Sequence, residues 1–370
     1  MEFDLQKHTI LLTVFGSRAY GMHTPTSDVD IRGVAIPPAQ YFHGFRKTFE
    51  QADKPKSLEC FIPHLTQEEQ AICKREGKVD GAVYDIRKFF NLAAACNPNI
   101  LDALFCRDDE VRICTPAGAV LRANREKFLS RVAIHTFSGY AAGQMKRIRT
   151  HRSWLLNPVE KAPTREEFGL KPVPEIPTNQ RDTALAMIRK RVDEWNLDLS
   201  TVDVATRLYI EDQVYNRLVE MEMTTDAQWK AAGRLLGFED NFLQVLDAER
   251  HYRLAQDNYE AYQIWKKTRN PERAALEAKF GFDLKHASHV ARLLLMAREL
   301  ITQGTYNVWR PDADWLLAIR RGEWTYDGLN AWAEQQDQEL KALVQTSPLP
   351  KAPDWAYLDG LCQKLVERGL

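Results

Sequence analysis

The feature that most constrains the fold is a short apolar segment that ends in a Gly-Ser turn and is followed by two closely spaced aspartates. Residues 9–15 are β-branched or large and apolar, which predicts a buried strand. Gly16 and Ser17 predict a turn after that strand, and such a turn exposes backbone N–H groups and a hydroxyl that suit phosphate oxygens. Asp28 and Asp30 then begin a second apolar stretch.

The second stretch, residues 28–36, predicts a strand in which Asp28, Asp30 and Arg32 share one face, because alternate residues of a strand do so. Two neighbouring carboxylates repel each other unless a cation lies between them, and oxygen ligands of this kind suit Mg²⁺. Asp is depleted inside strands, so a pair among apolar residues indicates more than a solvated strand end. We therefore expect a Mg²⁺ site beside a phosphate-binding turn, the outline of nucleotidyl transfer.

A third carboxylate is expected on the next predicted strand, residues 79–84. Two-metal nucleotidyl transfer normally uses a third acid to hold one ion and to accept the proton of the attacking hydroxyl. Asp80 lies inside this segment, whereas Asp85 lies at its junction with the next helix, where a helix cap would explain it. Asp80 is the preferred candidate and Asp85 is the alternative.

These residues resemble the polymerase-beta nucleotidyltransferase superfamily, which is marked by a Gly-Ser turn followed by an Asp-x-Asp strand. Residues 16–21 read Gly-Ser-Arg-Ala-Tyr-Gly and residues 27–33 read Ser-Asp-Val-Asp-Ile-Arg-Gly, a form that looks like the branch of RNA-ligase-associated, RlaP-like nucleotidyltransferases. The likeness continues in residues 97–105, 269–271, 282–289 and 319–324.

The resemblance implies an enzyme that moves a nucleoside monophosphate from an NTP, with ATP expected, to a hydroxyl and releases pyrophosphate. It also implies an RNA end as the acceptor and favours Asp80 as the third acid. Asp28, Asp30 and Asp80 would hold two Mg²⁺ ions, with Mn²⁺ as the alternative, and Gly16 and Ser17 would hold the triphosphate.

Three further side chains near the turn have two interpretations each. Arg18 is expected either to reach the same phosphates or, with equal weight, to form a surface ion pair. Arg32 either neutralises the aspartates or contacts phosphate. Tyr20 is expected to pack in the protein rather than to stack on a base.

The pattern along the chain predicts an α+β fold, with an N-terminal mixed sheet and helices followed by a large all-helical domain. We predict a catalytic domain over residues 1–116 and a helical domain over 117–370, with a proline-rich extended loop at 157–180. The insert at 37–78 carries no pattern that predicts its structure. Helical periodicity is found in residues 126–150, 181–196, 201–222, 226–236, 239–268, 271–279, 283–303 and 325–344.

Two helical faces are expected to contact the acceptor or the phosphates, with an ordinary solvated face as the alternative. The first face consists of residues at helical spacing. It overlaps residues 143–153, a window with five basic residues and no acidic residue. Its members are Tyr140, Gln144, Arg147 and His151. The second is the basic face of an amphipathic helix that begins at Asp283. Its members are Lys285, His289 and Arg292.

The composition of the chain disfavours several other functions and kinds of site. The net charge of −1 disfavours a dedicated nucleic-acid binder, and no apolar run approaches the length of a membrane span. The six cysteines have no CxxC spacing, as expected for reduced thiols in a cytoplasmic protein. A zinc site at Cys60, His64 and Cys73, or a metal pair at His286 and His289, is disfavoured because neither spacing is a recurring one.

Two other functions remain open from the sequence. One is adenylylation of a protein side chain or a small molecule, and the other is a nucleotide-binding protein without catalysis. The sequence contains no GxxxxGK[ST], GxSxG or HExxH motif, which argues against a P-loop kinase, a serine hydrolase of that type and a zincin.

Overall fold

The computed structural model of the chain describes residues 3–25, 27–195 and 225–369. The fold is α+β, with a five-stranded mixed sheet formed before residue 115 and, within the described residues, only helices and irregular segments after it. The predicted fold class is therefore confirmed. The helix expected at 201–222 lies outside the described residues.

The sheet is mixed, and its first strand is buried along its whole length. The strands are β1 (Thr9–Phe15), β2 (Asp30–Ala35), β3 (Gln51–Ala52), β4 (Asp80–Asp85) and β5 (Val111–Cys114). Their order in the sheet is β3-β4-β2-β1-β5. β1 is antiparallel to β2 and β5, β2 is parallel to β4, and β3 is antiparallel to β4. All seven residues of β1 are buried, as expected for an apolar central strand.

Helices make up most of the remaining described chain. In chain order they are α1 (Leu5–His8), α2 (Gln40–His43), α3 (Pro55–Leu58), α4 (Gln67–Glu76), α5 (Ile86–Ala94), α6 (Pro98–Phe105), α7 (Pro116–Ala123), α8 (Ala133–Leu156), α9 (Thr178–Trp195), α10 (Thr225–Leu235), α11 (Asp240–Thr268), α12 (Pro271–Phe280), α13 (Leu284–Gln303), α14 (Ala313–Arg320), α15 (Tyr326–Leu343) and α16 (Trp355–Gly369). Among the helices of the described ranges, none has both the length and the hydropathy needed to cross a bilayer.

Short polar side chains begin several of these helices. Asp85 caps α5 by accepting a hydrogen bond from Arg87 N, and Asp283 caps α13 in the same way. In the insert that carried no prediction, Thr66 and Glu69 form a reciprocal capping box at the start of α4.

The chain divides into two compact units, and the division differs from the predicted boundary after residue 116. One unit combines Met1–Leu155 with Pro271–Leu370, and the other is Leu156–Asn270. In the first unit, apolar residues of α13, α14 and α15 pack in one core with those of α5, α6 and α8. Helices distant in sequence therefore complete the unit that contains the sheet.

The sheet of the first unit has a separate apolar core on each face. Leu11 belongs to the core with α13, whereas Leu12 and Val14 belong to a second core with Val83 and Phe61. This division follows from the alternation of side chains along a strand.

The second unit has its own small core, in which α9, α10 and α11 supply Ile188, Trp229 and Leu243. The proline-rich segment before α9 is irregular apart from a single 3₁₀ turn at Glu166–Phe168. Arg165 anchors that segment, because its guanidinium donates hydrogen bonds of 2.5 and 3.1 Å to the buried carboxylate of Glu249.

Candidate active site

Three carboxylates converge at one end of the sheet. Asp30 is the first residue of β2 and stands in register with Asp80, the first residue of the parallel strand β4. Asp28 lies two residues before β2. One ligand atom from each of the three carboxylates lies within 4.8 Å of the other two. The structure therefore brings together the three acids that the sequence assigned to metal binding.

The electrostatics of this cluster are unfavourable without a cation. Burial raises the pKa of Asp30, and together with the charges of Asp28 and Asp80 it brings the value from an ordinary 3.8 to about 6. Arg32 and Lys285 act in the opposite direction. Three carboxylates at this spacing offer the hard oxygen donors that Mg²⁺ or Mn²⁺ prefers, so the residues fit a divalent cation.

Asp80 and Asp85 have different surroundings. Asp80 accepts a 2.6 Å hydrogen bond from Lys78 Nζ, and its side chain is 35% exposed. Asp85 is the last residue of the same strand and its side chain is only 3% exposed. Its oxygens accept hydrogen bonds from Arg87 N, Nε and Nη2 at 2.8 to 2.9 Å. Asp80 thus belongs to the carboxylate cluster, and Asp85 caps a helix.

The Gly16 turn lies directly against the carboxylates. Gly16 has a φ of +73°, and a Cβ on it would lie 2.7 Å from Asp30 Oδ2. Only a residue without a side chain fits there unless Asp30 moves. Half-buried Ser17 follows, and its carbonyl accepts a 2.8 Å hydrogen bond from Met22 N, which closes the turn.

The two arginines near the turn have separate environments. The buried Arg18 guanidinium lies 3.3 Å from the exposed Glu68 carboxylate, so it forms an ion pair. Arg32 donates to the carbonyl of Ile31 and stacks 4.6 Å from the ring centroid of Phe15. The charge of Arg32 acts on Asp30, which agrees with a neutralising role.

A buried polar network behind the turn was not foreseen. Tyr20 Oη donates a 2.5 Å hydrogen bond to Asp102, and Tyr306 Oη donates one of 2.6 Å to the same carboxylate. Burial raises the pKa of Asp102, and the nearby Arg292 lowers it. The available signal was a charged residue, Asp102, inside the largely apolar helix α6. Tyr20 packs in the protein, as expected.

The basic face of α13 is only partly directed toward the carboxylates. Lys285 is exposed and its charge acts on Asp30. His289 is half-buried, and burial holds its pKa well below the ordinary range. Arg292 is buried, with its guanidinium 3.8 Å from the Tyr20 ring centroid and 3.6 Å from Asp102. Arg292 is therefore part of the network behind the turn and does not form an open basic wall.

The face on α8 is mixed in its surroundings. Tyr140 Oη accepts a 2.8 Å hydrogen bond from Asn97 Nδ2 and packs against the main core. Gln144 Oε1 is buried without a hydrogen-bond partner among the described residues, and Arg147 is exposed. This face therefore combines a residue that packs against the core, Tyr140, with an exposed cation, Arg147.

One further cation at the cluster was missed by the sequence interpretation. Arg320, the last residue of α14, donates a 3.2 Å hydrogen bond to the carbonyl of Met22, and its charge interacts with Asp28. A single arginine at a helix end has no local signal that distinguishes it from a surface residue.

The residues of the disfavoured zinc site lie within the described part of the chain. Cys60, His64 and Cys73 do not form a cluster of ligand atoms there, and His64 instead lies 2.8 Å from the side chain of Gln6. One other cluster has compatible distances, formed by His151, Glu277 and Asp283.

The carboxylate of Asp283 in that second cluster already has partners within the protein. It lies 2.7 Å from Arg273 Nη2 and caps α13, so an ion-pair network accounts for its charge.

A known protein family matches the N-terminal part of the chain. Residues 2–157 match the RlaP family model, described as the RNA repair pathway DNA polymerase beta family. The chain is also 24% identical over 345 residues to an uncharacterized 38.9 kDa protein in the nrdC-mobD intergenic region of Enterobacteria phage T4. That alignment covers 90% of this chain and 89% of the phage protein. No solved structure matches the chain.

The family match confirms the resemblance to the polymerase-beta-like, RlaP branch over the N-terminal part of the chain. It covers the β1 strand, the turn and all three clustered carboxylates. The matched family connects this part of the chain with nucleotidyltransferases and with RNA repair.

Proposed function

We propose that this chain, whose residues 2–157 match the RlaP family, is a divalent-metal-dependent nucleotidyltransferase that uses an NTP, with ATP expected, and an RNA end as acceptor. The observation that carries the proposal is the convergence of Asp28, Asp30 and Asp80 beside the Gly16 turn. A nucleotide-binding protein without catalysis would need the turn but not three clustered acids.

The positions of the residues support the following proposed roles. Asp28, Asp30 and Asp80 would hold two Mg²⁺ ions, or Mn²⁺ in their place. When bound, these ions supply positive charge that stabilises the attacking and leaving oxygens. The Gly16-Ser17 turn would bind the triphosphate through backbone N–H groups and the Ser17 hydroxyl.

In the reaction, the acceptor hydroxyl oxygen forms a bond to the α-phosphorus, and the bond from that phosphorus to the bridging oxygen breaks. Pyrophosphate leaves, and Asp80 accepts the proton of the hydroxyl. Asp80 is suited to this step because its side chain is partly exposed while it remains next to Asp30.

The family description, which names an RNA repair pathway, supports RNA as the proposed acceptor. Arg147, an exposed cation of α8, is a candidate contact for that acceptor. A protein side chain or a small molecule is the alternative acceptor, and only a product assay distinguishes them.

The test is transfer of label from α-phosphate-labelled ATP to RNA oligonucleotides, to protein extract and to small metabolites offered separately. Wild type should label RNA and release pyrophosphate in the presence of Mg²⁺. Asp28→Asn should reduce transfer by about 1000-fold, because metal charge supplies several kcal/mol of transition-state stabilisation.

The matched control is Asp327→Asn, which changes an exposed aspartate at the start of α15. This variant should transfer label like wild type. Unchanged labelling by Asp28→Asn would refute the assignment of the metal site. Binding of ATP by wild type without pyrophosphate release would instead identify a protein that binds nucleotide and does not react with it.

A further inference from the structure

We propose that Arg320 and Lys285 form a phosphate-binding subsite at the carboxylate cluster, which holds the terminal phosphates of the NTP and the released pyrophosphate. The inference rests on the proposed function and names two residues of the same site. Both come from helices after residue 271, outside the part of the chain that matches the family.

Arg320 is attached to the phosphate-binding turn itself. Its Nη1 donates a 3.2 Å hydrogen bond to Met22 O, and Met22 N donates a 2.8 Å hydrogen bond to Ser17 O. The side chain of Arg320 therefore lies where the turn closes. The charges that act on it are Asp28, which attracts it, and Arg273, which repels it.

Lys285 approaches the cluster from a different helix. It is the second residue of α13, its side chain is exposed, and its charge acts on Asp30. Arg320 and Lys285 thus act on two different members of the carboxylate cluster, Asp28 and Asp30.

Neither cation has an ion-pair partner within 4 Å in the described part of the chain, in contrast to other arginines nearby. Arg310 lies 2.7 Å from Glu299, and Arg321 lies 2.7 Å from Glu323. Arg320 is half-buried, and the hydrogen bond that it donates within the described residues goes to a carbonyl. A half-buried guanidinium that is repelled by the charge of Arg273 needs an anion to offset its desolvation.

The carboxylate cluster cannot remain that anion during the proposed reaction. Once divalent cations are held by Asp28, Asp30 and Asp80, the charge of the acids is neutralised and the site becomes net positive. A group with several negative charges then restores the balance, and guanidinium and ammonium groups bind phosphate oxygens strongly. The triphosphate is the polyanion that the neighbouring turn is proposed to hold, which favours it over the singly charged phosphates of an RNA backbone.

The experiment compares Arg320→Met and Lys285→Met with Arg321→Met. Arg321 is the best control because it is the next residue, has the same side chain and forms a surface ion pair. Calorimetry measures the binding of Mg²⁺ with ATP and of Mg²⁺ with inorganic tripolyphosphate, and kinetics measure inhibition by pyrophosphate. Thermal unfolding checks that each variant is folded, and Arg320→Lys tests whether charge alone suffices.

Arg320→Met and Lys285→Met should each weaken binding of ATP and of tripolyphosphate by about 10- to 100-fold, the range for hydrogen bonds to charged groups. The inhibition constant of pyrophosphate should rise in parallel, and Arg320→Lys should recover part of the loss. Arg321→Met should bind both ligands like wild type.

The two proposals can fail separately. If wild type neither binds ATP nor transfers label, the proposed function is wrong. If wild type is active and Arg320→Met binds tripolyphosphate as tightly as Arg321→Met does, the phosphate subsite is wrong while the function stands. A loss that appears only in the KM for RNA would assign these cations to the acceptor and overturn the inference.

Discussion

Asp30 and Asp80 stand opposite each other as the first residues of two parallel strands, β2 and β4. This register places two carboxylates side by side at a sheet end that already contains Asp28. The arrangement is costly for the folded protein alone, because burial and the neighbouring charges raise the pKa of Asp30 to about 6. An arrangement with this cost is typical of functional sites and supports the proposed metal site.

The first prediction concerns the stability cost of Asp30. Because its pKa is raised, the folded protein binds the proton more tightly than the unfolded chain, and ionisation of Asp30 destabilises the fold above about pH 6. In the presence of a chelator at pH 7.5, Asp30→Asn should therefore raise the free energy of unfolding by about 1–2 kcal/mol, after allowance for partial exposure. Urea unfolding measures this.

The gain from Asp30→Asn should shrink as the pH falls from about 6 toward 4, where Asp30 becomes protonated in wild type. Added Mg²⁺ should stabilise wild type and not the variant. Equal stability of the two proteins at pH 7.5 with chelator would show that the cluster carries no such cost. Asp327→Asn is again the control.

The second prediction concerns the contact between Gly16 and Asp30. Gly16 and Gly77 both adopt a left-handed backbone, with φ of +73° and +71°, but a Cβ would contact Asp30 only at Gly16. Gly16→Ala and Gly77→Ala should each lose about 1 kcal/mol of stability from backbone strain. Gly16→Ala should also lose about 10- to 100-fold in nucleotidyl transfer, because it displaces a carboxylate.

Measuring transfer and unfolding on both variants separates the two effects. Equal activity of Gly16→Ala and Gly77→Ala would mean that the position of Asp30 does not depend on the turn.

The turn and the aspartates of the candidate site could be predicted, because the sequence patterns that indicate them are local. The apolar run of β1, the Gly-Ser turn and the Asp28-x-Asp30 spacing lie within 22 residues, and each depends on strand periodicity or turn chemistry. Asp80 was preferred over Asp85 for the same kind of reason, since a residue at a strand-to-helix junction suits a cap. The clustering of Asp80 with the other two acids agrees with that preference.

The short strands and the residues that later helices contribute to the site could not be predicted from local sequence patterns. The short strands β3 and β5 span two and four residues, which is too few for a period to appear. The contribution of α13 and α14 to the site depends on packing between segments about 300 residues apart, as in the contact of Arg320 with Met22. The same limit explains why Arg292 was assigned to an open face, whereas its true partner is Asp102 on α6.

The third prediction separates Asp80 from Asp85. Asp80→Ala should change the free energy of unfolding by less than about 1 kcal/mol in the absence of metal, because the pair with Lys78 is partly exposed. The same Asp80→Ala change should abolish nucleotidyl transfer. Asp85→Ala should cost about 1–3 kcal/mol, because it removes a helix cap and leaves Arg87 without its partner, while activity per folded molecule is retained. Unfolding curves and label transfer on both variants are needed, and loss of activity only in Asp85→Ala would reverse the assignment.

The last prediction concerns the buried network that supports the turn. Asp102 is fully buried, accepts hydrogen bonds from Tyr20 and Tyr306, and lies 3.6 Å from Arg292. Asp102→Asn leaves the Arg292 charge buried without a counter-ion, and we expect a loss of about 3–5 kcal/mol in the free energy of unfolding. Arg292→Met should cost a similar amount, because the carboxylate is then left alone.

The double variant Asp102→Asn with Arg292→Met removes both charges and should be more stable than the sum of the two losses predicts, by about 1–3 kcal/mol. A double-mutant cycle from urea unfolding measures this coupling, and additive losses would show that the two residues do not interact. Since Tyr20 belongs to the turn that begins at Gly16, the Asp102 variant should also raise the KM for ATP more than it lowers kcat. A purely structural role elsewhere in the protein would leave both constants unchanged for the folded fraction.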